Sequence, residues 1–281
     1  MPMRGTISIK VLVLALAAAL LWGAPAVAQE HAGPKPALQS WSFAGIFGTY
    51  DRNQLQRGFQ VFRQVCSSCH SASLLAFRNL SQPGGPEYSE EQIKLLAAEY
   101  IVVDPADPLS DRPAVASDAW PNPWPSVADA RAANNGVVPP DFSVIAKARS
   151  VPMDFPWWML NYITAYQEGG PDYIYNLLNG YHDEAPGGFT LADGQSYNDY
   201  FPDHALAMPP PLSDGAVDYD GDVVPETVDQ YAKDVSAFLM WVAEPHLVER
   251  KAIGFRVLIF LGLFAVLMYL TYKRVWSGVK H

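Results

Sequence analysis

The pentapeptide Cys66-Ser67-Ser68-Cys69-His70 constrains this chain more than any other stretch, because it holds the only two cysteines in 281 residues at a C-x-x-C-H spacing. That spacing attaches a c-type haem: each thiol adds across one vinyl group, and the histidine that follows is placed to bind the iron. A redox C-x-x-C or a structural disulfide leaves the histidine unexplained. The motif predicts one haem c, held covalently through Cys66 and Cys69, with His70 as the first axial ligand.

The two ends of the chain read as membrane signals. Arg4 and Lys10 precede a short apolar run at residues 11–21, and Ala26-Val27-Ala28 supplies the small-x-small cleavage pattern. Residues 1–28 are therefore expected to be a cleaved secretory signal peptide. Export suits the chemistry, since c-type haem is attached after translocation and both thiols are then consumed. At the other end, residues 257–272 (VLIFLGLFAVLMYLTY) carry no charge. With the residues just before them they come close to the ~30 Å of a bilayer core at about 1.5 Å per residue. Arg256 lies near enough to the end of the span to snorkel. Lys273, Arg274 and Lys280 follow, which by the positive-inside rule places the tail in the cytoplasm. The expected organisation is a periplasmic haem domain at 29–249, a transmembrane anchor at 250–276 and a cytoplasmic tail at 277–281, in a bacterial inner membrane.

Charge is distributed by compartment. Residues 29–249 contain all 29 acidic side chains but 11 of the 19 Lys and Arg, a net charge of −18. Such a field repels nucleic acid and attracts a basic protein. Between Asp172 and Asp234 there are 13 acidic residues against Lys233 alone. We read this region as a docking surface for a basic protein, because long-range charge gives fast association without tight binding.

Periodicity predicts a mainly α fold with long ordered loops. Leu55, Phe59, Phe62 and Val65 recur at helical spacing just before Cys66. Ser89-Glu90-Glu91-Gln92 reads as a capping box opening a helix through Tyr100. Short helices are expected at 126–133, 142–149 and 171–178, the last stopped by Asn179-Gly180. The longest in the domain is expected at 225–242, with Val228, Tyr231, Val235, Phe238, Leu239 and Val242 on one face and Pro245 ending it. The 24 prolines cluster at 83–86, 104–125 and 209–211, which reads as loop with little strand.

The sixth iron ligand separates a carrier from an enzyme, because a thioether closes the iron and raises its potential. Candidates are Met153, Met159, Met208 and Met240, with His31, His182, His204 and His246 behind them. Met208 stands out because Pro209, Pro210 and Pro211 stiffen its loop, and His204 competes from four residues away.

Several segments together resemble one family. The run RGFQVFRQVCSSCHS at 57–71 resembles the haem-binding segment of the cytochrome c1 family, the c-haem subunits of ubiquinol–cytochrome c oxidoreductases (cytochrome bc1 complexes). So do ARAANNG at 130–136 with PPD at 139–141, YNLLNGY at 175–181, the Met208-Pro209-Pro210 loop, and AKDV at 232–235 onward to the C-terminal helix. The resemblance implies Met208 as sixth ligand opposite His70, Arg131 toward a haem propionate, and Asn135 and Pro140 in the haem-lining motif. It implies a mainly α, cytochrome c-like haem domain on one C-terminal transmembrane helix, acting as a membrane-anchored one-electron carrier of the respiratory chain, with no bond-making catalysis of its own. Its implied donor is a Rieske iron–sulfur protein, its neighbour cytochrome b, and its acceptor a basic soluble or anchored c-type cytochrome, in a dimeric complex. Residues 186–201 look like an insertion of the kind some bacterial members staple with a disulfide; this one has no cysteine. Two alternatives are an anchored cytochrome c subunit of a terminal oxidase, which has no reason to carry ARAANNG and PPD, and a haem peroxidase-like enzyme, which needs an open iron.

Overall fold

The computed structural model describes residues 34–151, 159–160, 169–219, 221 and 223–278. The expected signal peptide, His31, Met153 and Lys280 lie outside these residues. In chain order the described helices are α1 (Arg52–Gln64), α2 (Glu90–Ala98), α3 (Val127–Ala133), α4 (Ile145–Ala148), α5 (Gly170–Asn179), α6 (Val228–Ala243) and α7 (Leu247–Trp276). Strands β1 (Ile101–Asp104) and β2 (Asp107–Pro113) form one antiparallel pair. Strands β3 (Tyr181–His182), β4 (Ser196–Asn198) and β5 (Ala205–Leu206) form a small antiparallel sheet in that order.

Local chemistry sets the helix starts. Asp51, Ser89, Ser126 and Thr227 each accept a backbone N–H from the first turn of α1, α2, α3 and α6, satisfying donors that have no intrahelical partner. At Ser89 the Gln92 side chain returns the contact, completing the expected capping box. The helix expected at 142–149 is a single turn, α4. The helix expected at 225–242 begins at Val228, after the Thr227 cap.

The core is built where α1 crosses α6. Leu55, Phe59, Val61 and Phe62 are buried on α1, and Phe59 and Phe62 meet Phe238 of α6 at 5.6 and 5.5 Å between ring centres. Trp120 joins them from the proline-rich segment, 5.6 Å from Phe59 and 5.4 Å from Phe62. Tilted and edge-on ring pairs of this kind add to the area they bury. Residues 234–241 of α6 are buried on every side, because α1, α4 and α5 all pack on it. At the crossing sits a buried ion pair: Asp234, fully buried, accepts from Arg57 at 2.8 and 3.2 Å, Gln230 at 3.0 Å and the Tyr219 hydroxyl at 3.1 Å.

Strand occurs where loop was expected. Ile101-Val102-Val103 is a β-branched run that pairs with β2 in spite of Pro108 and Pro113, because every strand of a two-stranded ribbon is an edge strand. Arg112 fastens the hairpin to Asp118 through two hydrogen bonds of 2.7 and 3.0 Å. The 186–201 segment is held without a disulfide. Tyr197 of β4 gathers His182, Phe189 and His204 around its ring, and the buried Asn198 donates to the Leu177 carbonyl at 2.7 Å.

Pro245 falls between α6 and α7, as the helix-breaking character of proline requires. Helix α7 starts at Leu247, whose side chain is buried against the domain, and from Ala252 onward its side chains are exposed. It is the one described helix long and apolar enough to cross a membrane.

Candidate haem site

Helix α1 runs directly into the attachment motif. Val65 caps it, and Cys66–Ser68 tighten into a 3-10 turn in which the amides of Cys69 and His70 both donate to the Cys66 carbonyl, at 3.1 and 2.9 Å. The two intervening serines satisfy the end of the helix: Ser67 donates to the Arg63 carbonyl at 2.8 Å and Ser68 to the Val65 carbonyl at 2.7 Å. The turn thus carries both thiols, which are free, on one rigid corner. Trp124 pins the corner from outside, its indole N–H donating to the Cys69 carbonyl at 2.8 Å. Desolvation, with the neighbouring Cys69, pushes the Cys66 thiol up to about 12.

His70 is 7% exposed and stacks on Phe142 with ring centres 4.0 Å apart. Its Nδ1 lies 2.9 Å from the Pro140 carbonyl oxygen. A carbonyl only accepts, so Nδ1 carries the proton and the lone pair is left on Nε2. Burial lowers the imidazole pKa and outweighs the opposing pull of that carbonyl. The ring is therefore neutral near pH 7, with Nε2 making no hydrogen bond to any described residue.

The Pro140 carbonyl is held in place by Asp141. One carboxylate oxygen accepts from the Ser71 hydroxyl at 2.8 Å and the Ser73 amide at 2.9 Å, and the other from the Ser143 amide at 2.7 Å. The Phe142 amide donates to the Ser71 carbonyl at 2.7 Å, and the Leu74 amide to the Ser143 hydroxyl at 2.9 Å. Residues 71–74 and 140–143 are thereby stitched into one unit around the imidazole. Burial pushes the Asp141 carboxyl up, but the hydrogen bonds from Ser143, Ser73 and Ser71 outweigh it and hold it well below the usual carboxylate range.

The structure brings Cys66, Cys69, His70 and Pro140 together, and the other expected residues lie on other segments. Arg131 is in the last turn of α3, exposed, and its guanidinium has no hydrogen bond or ion pair among the described residues. Asn135 and Gly136 follow with φ of 52° and 83°, a left-handed pair that turns the chain toward Pro139 and Pro140. Met208 lies just after β5, half-buried, and its carbonyl accepts from the Tyr181 hydroxyl at 3.1 Å. Four of its described rivals are engaged elsewhere. Met240 is fully buried in the α6 core, His182 pairs with Asp199 at 2.7 Å, and His246 pairs with Glu249 at 3.0 Å. His204 lies flat on Tyr197 with Nδ1 3.0 Å from the Asn198 carbonyl, and Met159 is largely exposed. Phe142, Trp124 and Tyr181 were not foreseen as site residues; their roles come from contacts that span between 27 and 72 residues.

These residues fit a c-type haem. Two unpaired thiols share one turn, the adjacent imidazole has an unclaimed Nε2, and the flanking segments leave the apolar side chains of Leu74, Val137, Val138 and Val144 exposed. An apolar macrocycle covers such side chains at a gain of roughly 25 cal/mol per Å².

The sequence model of the Cytochrome C1 family matches residues 41–279. The chain is 49% identical over 270 residues to "Cytochrome b/c1" of Bradyrhizobium diazoefficiens, covering 95% of this chain and 39% of that protein. It is likewise 49% identical over 270 residues to "Cytochrome c1" of Blastochloris viridis, covering 93% of this chain and 95% of that one. To "Cytochrome c1, heme protein, mitochondrial" of Saccharomyces cerevisiae it is 40% identical over 256 residues, covering 90% and 75%. The chain thus spans about two fifths of the Bradyrhizobium protein and nearly all of the Blastochloris one.

Proposed function

The chain belongs to the cytochrome c1 family, and from that membership we propose that it is the membrane-anchored electron carrier of a quinol–cytochrome c oxidoreductase. In this reading it stands between a Rieske iron–sulfur protein, which donates one electron, and a basic c-type cytochrome, which accepts it. Cytochrome b is its membrane neighbour, in a dimeric complex. The haem domain, 29–249, faces the periplasm of a bacterial inner membrane after removal of residues 1–28. The anchor at 250–276 falls within α7, and the tail is cytoplasmic.

A c-type haem bound at this site supplies a reversible one-electron couple at its iron. Cys66 and Cys69 would hold it as thioethers, His70 through Nε2 and Met208 through its sulfur, while Arg131 offers a guanidinium to a propionate. Asn135 and Pro140 shape the same wall. The Pro140 carbonyl fixes the imidazole tautomer and raises its basicity as a ligand. Phe142 covers one face of the imidazole. The observation that carries this reading is the His70–Pro140 pair at 2.9 Å, which leaves one nitrogen of a buried, neutral imidazole free for iron on the same turn as two free thiols.

The test is purification in mild detergent, with haem staining and identification of every co-purifying subunit. Co-purification with a cytochrome b and a Rieske protein is expected; recovery with oxidase subunits and no cytochrome b would overturn the assignment.

A further inference from the structure

The chain before α1 makes a turn that touches the base of the anchor. Both ends of this turn are fastened. Phe43 is fully buried, and Tyr50 donates its hydroxyl to the Met240 and Glu244 carbonyls at 3.3 and 3.1 Å. Lys251 of α7 donates to the carbonyls of Phe43 and Gly45, at 2.5 and 2.7 Å. The turn is tight: a Cβ on Gly48 would stand 2.0 Å from the Ala44 carbonyl oxygen, and Gly45 has a φ of 74°.

This closure leaves Phe47 and the partly exposed Ile46 at the tip. Phe47 is 80% exposed, and its ring meets Phe255 of α7 edge-on at 5.6 Å. The position of Phe255 along α7 gives the contact its meaning. The uncharged run 257–272 has 16 residues, about 24 Å of helix, short of the ~30 Å hydrocarbon core. The core boundary therefore reaches back roughly one turn, to the level of Phe255 and Arg256. At the far end Tyr269, Tyr272 and Trp276 form an aromatic belt, with Tyr272 and Trp276 6.1 Å apart. At the near end α7 has Phe255 and no Tyr or Trp.

We propose that the tip at residues 45–48 is a second membrane contact, with Ile46 and Phe47 resting in the headgroup–acyl boundary of the bilayer beside Phe255. The proposal rests on α7 being the anchor. Lipid is the occupant the geometry favours because the tip is continuous with a lipid-exposed face of α7 at boundary depth. The domain is then held to the membrane at two points, joined by the Lys251 brace, and its tilt over the bilayer is set by the fold.

The experiment uses the full haem-loaded chain, with whatever subunits co-purify, in vesicles of phosphatidylcholine and phosphatidylglycerol. Haem attachment consumes Cys66 and Cys69, so a nitroxide placed on Phe47→Cys has a unique thiol. Collision with oxygen and with a water-soluble nickel chelate is compared with labels at Phe264→Cys in the anchor and Leu109→Cys, 98% exposed on the β1–β2 hairpin. Expected is at least a fivefold lower nickel collision rate at position 47 than at 109, with oxygen access retained. Nickel access at 47 equal to that at 109, with 264 protected, overturns the proposal while leaving the anchor intact. Nickel access at 264 overturns both. Exclusion of oxygen and nickel alike at 47 means that protein covers the tip, and also overturns it. If Phe47→Cys fails to retain haem, Ile46→Cys gives the same reading.

Discussion

Gly58 of α1 lies against the main chain of α6 at Asp234, so close that a Cβ on Gly58 would stand 2.1 Å from the Asp234 carbonyl oxygen. Only a hydrogen fits there, and the two helices meet backbone to backbone. Gly58→Ala gains about 1 kcal/mol of helix propensity and forces apart a crossing on which Phe59, Phe62 and Phe238 depend. Overpacking of this kind costs about 1–3 kcal/mol, and more where the obstruction is main chain. A lower denaturation midpoint is expected, followed by Soret absorbance; an unchanged midpoint would mean the helices separate freely.

Asp234 beneath that crossing is an acceptor to three residues, Arg57, Gln230 and Tyr219. Asp234→Ala leaves Arg57 facing an unfilled buried site and is expected to cost about 3–5 kcal/mol. Replacing Arg57 by Met in the same chain should recover part of the loss. Strict additivity of the two single changes in urea melts would show that the pair is not coupled.

Asp141 sets an acid limit on the haem site. Its folded-state pKa is depressed, so its contribution to stability is fully present above the unfolded value near 4 and is lost as pH falls through and below it. The wild-type chain is expected to lose stability relative to Asp141→Asn as pH drops from about 4 toward 2, and to exceed it at neutral pH. Parallel stability curves across that range would remove the carboxylate from the account.

Met208 and His204 make opposite predictions as sixth ligand. Met208→Leu should keep the covalent haem yet lower the midpoint potential by roughly 0.2 V, within the ~0.8 V that axial ligands control. His204→Ala should leave the potential unchanged, because His204 belongs to the Tyr197 cluster. A shift in the second variant and none in the first would reverse the assignment.

Features encoded locally were legible in the sequence. The capping box at Ser89, the amphipathic α1 and the long apolar α7 depend on residues within a few positions of one another, and periodicity or spacing reports them. The Cys66–His70 run was legible for the same reason. The clip around His70 was not, because Asp141 reaches Ser71 and Ser73 across 70 and 68 residues, and no periodicity links them. The β1–β2 hairpin was hidden by its prolines, which look like loop until the strand is known to be an edge. The burial of Asp234 also ran against its residue type. A carboxylate in an acidic segment reads as solvated surface, and the Arg57 fork, with Gln230 and Tyr219 beside it, makes its interior position tolerable.

The α1–α6 crossing joins residues 177 positions apart, and this sets an order of events in biosynthesis. A chain made from its N-terminus presents the Cys66–His70 corner long before α6 exists to cover the apolar face of α1. Arrival of α6 closes the crossing, so the apolar face of α1 is covered only once residues 228–243 have been made.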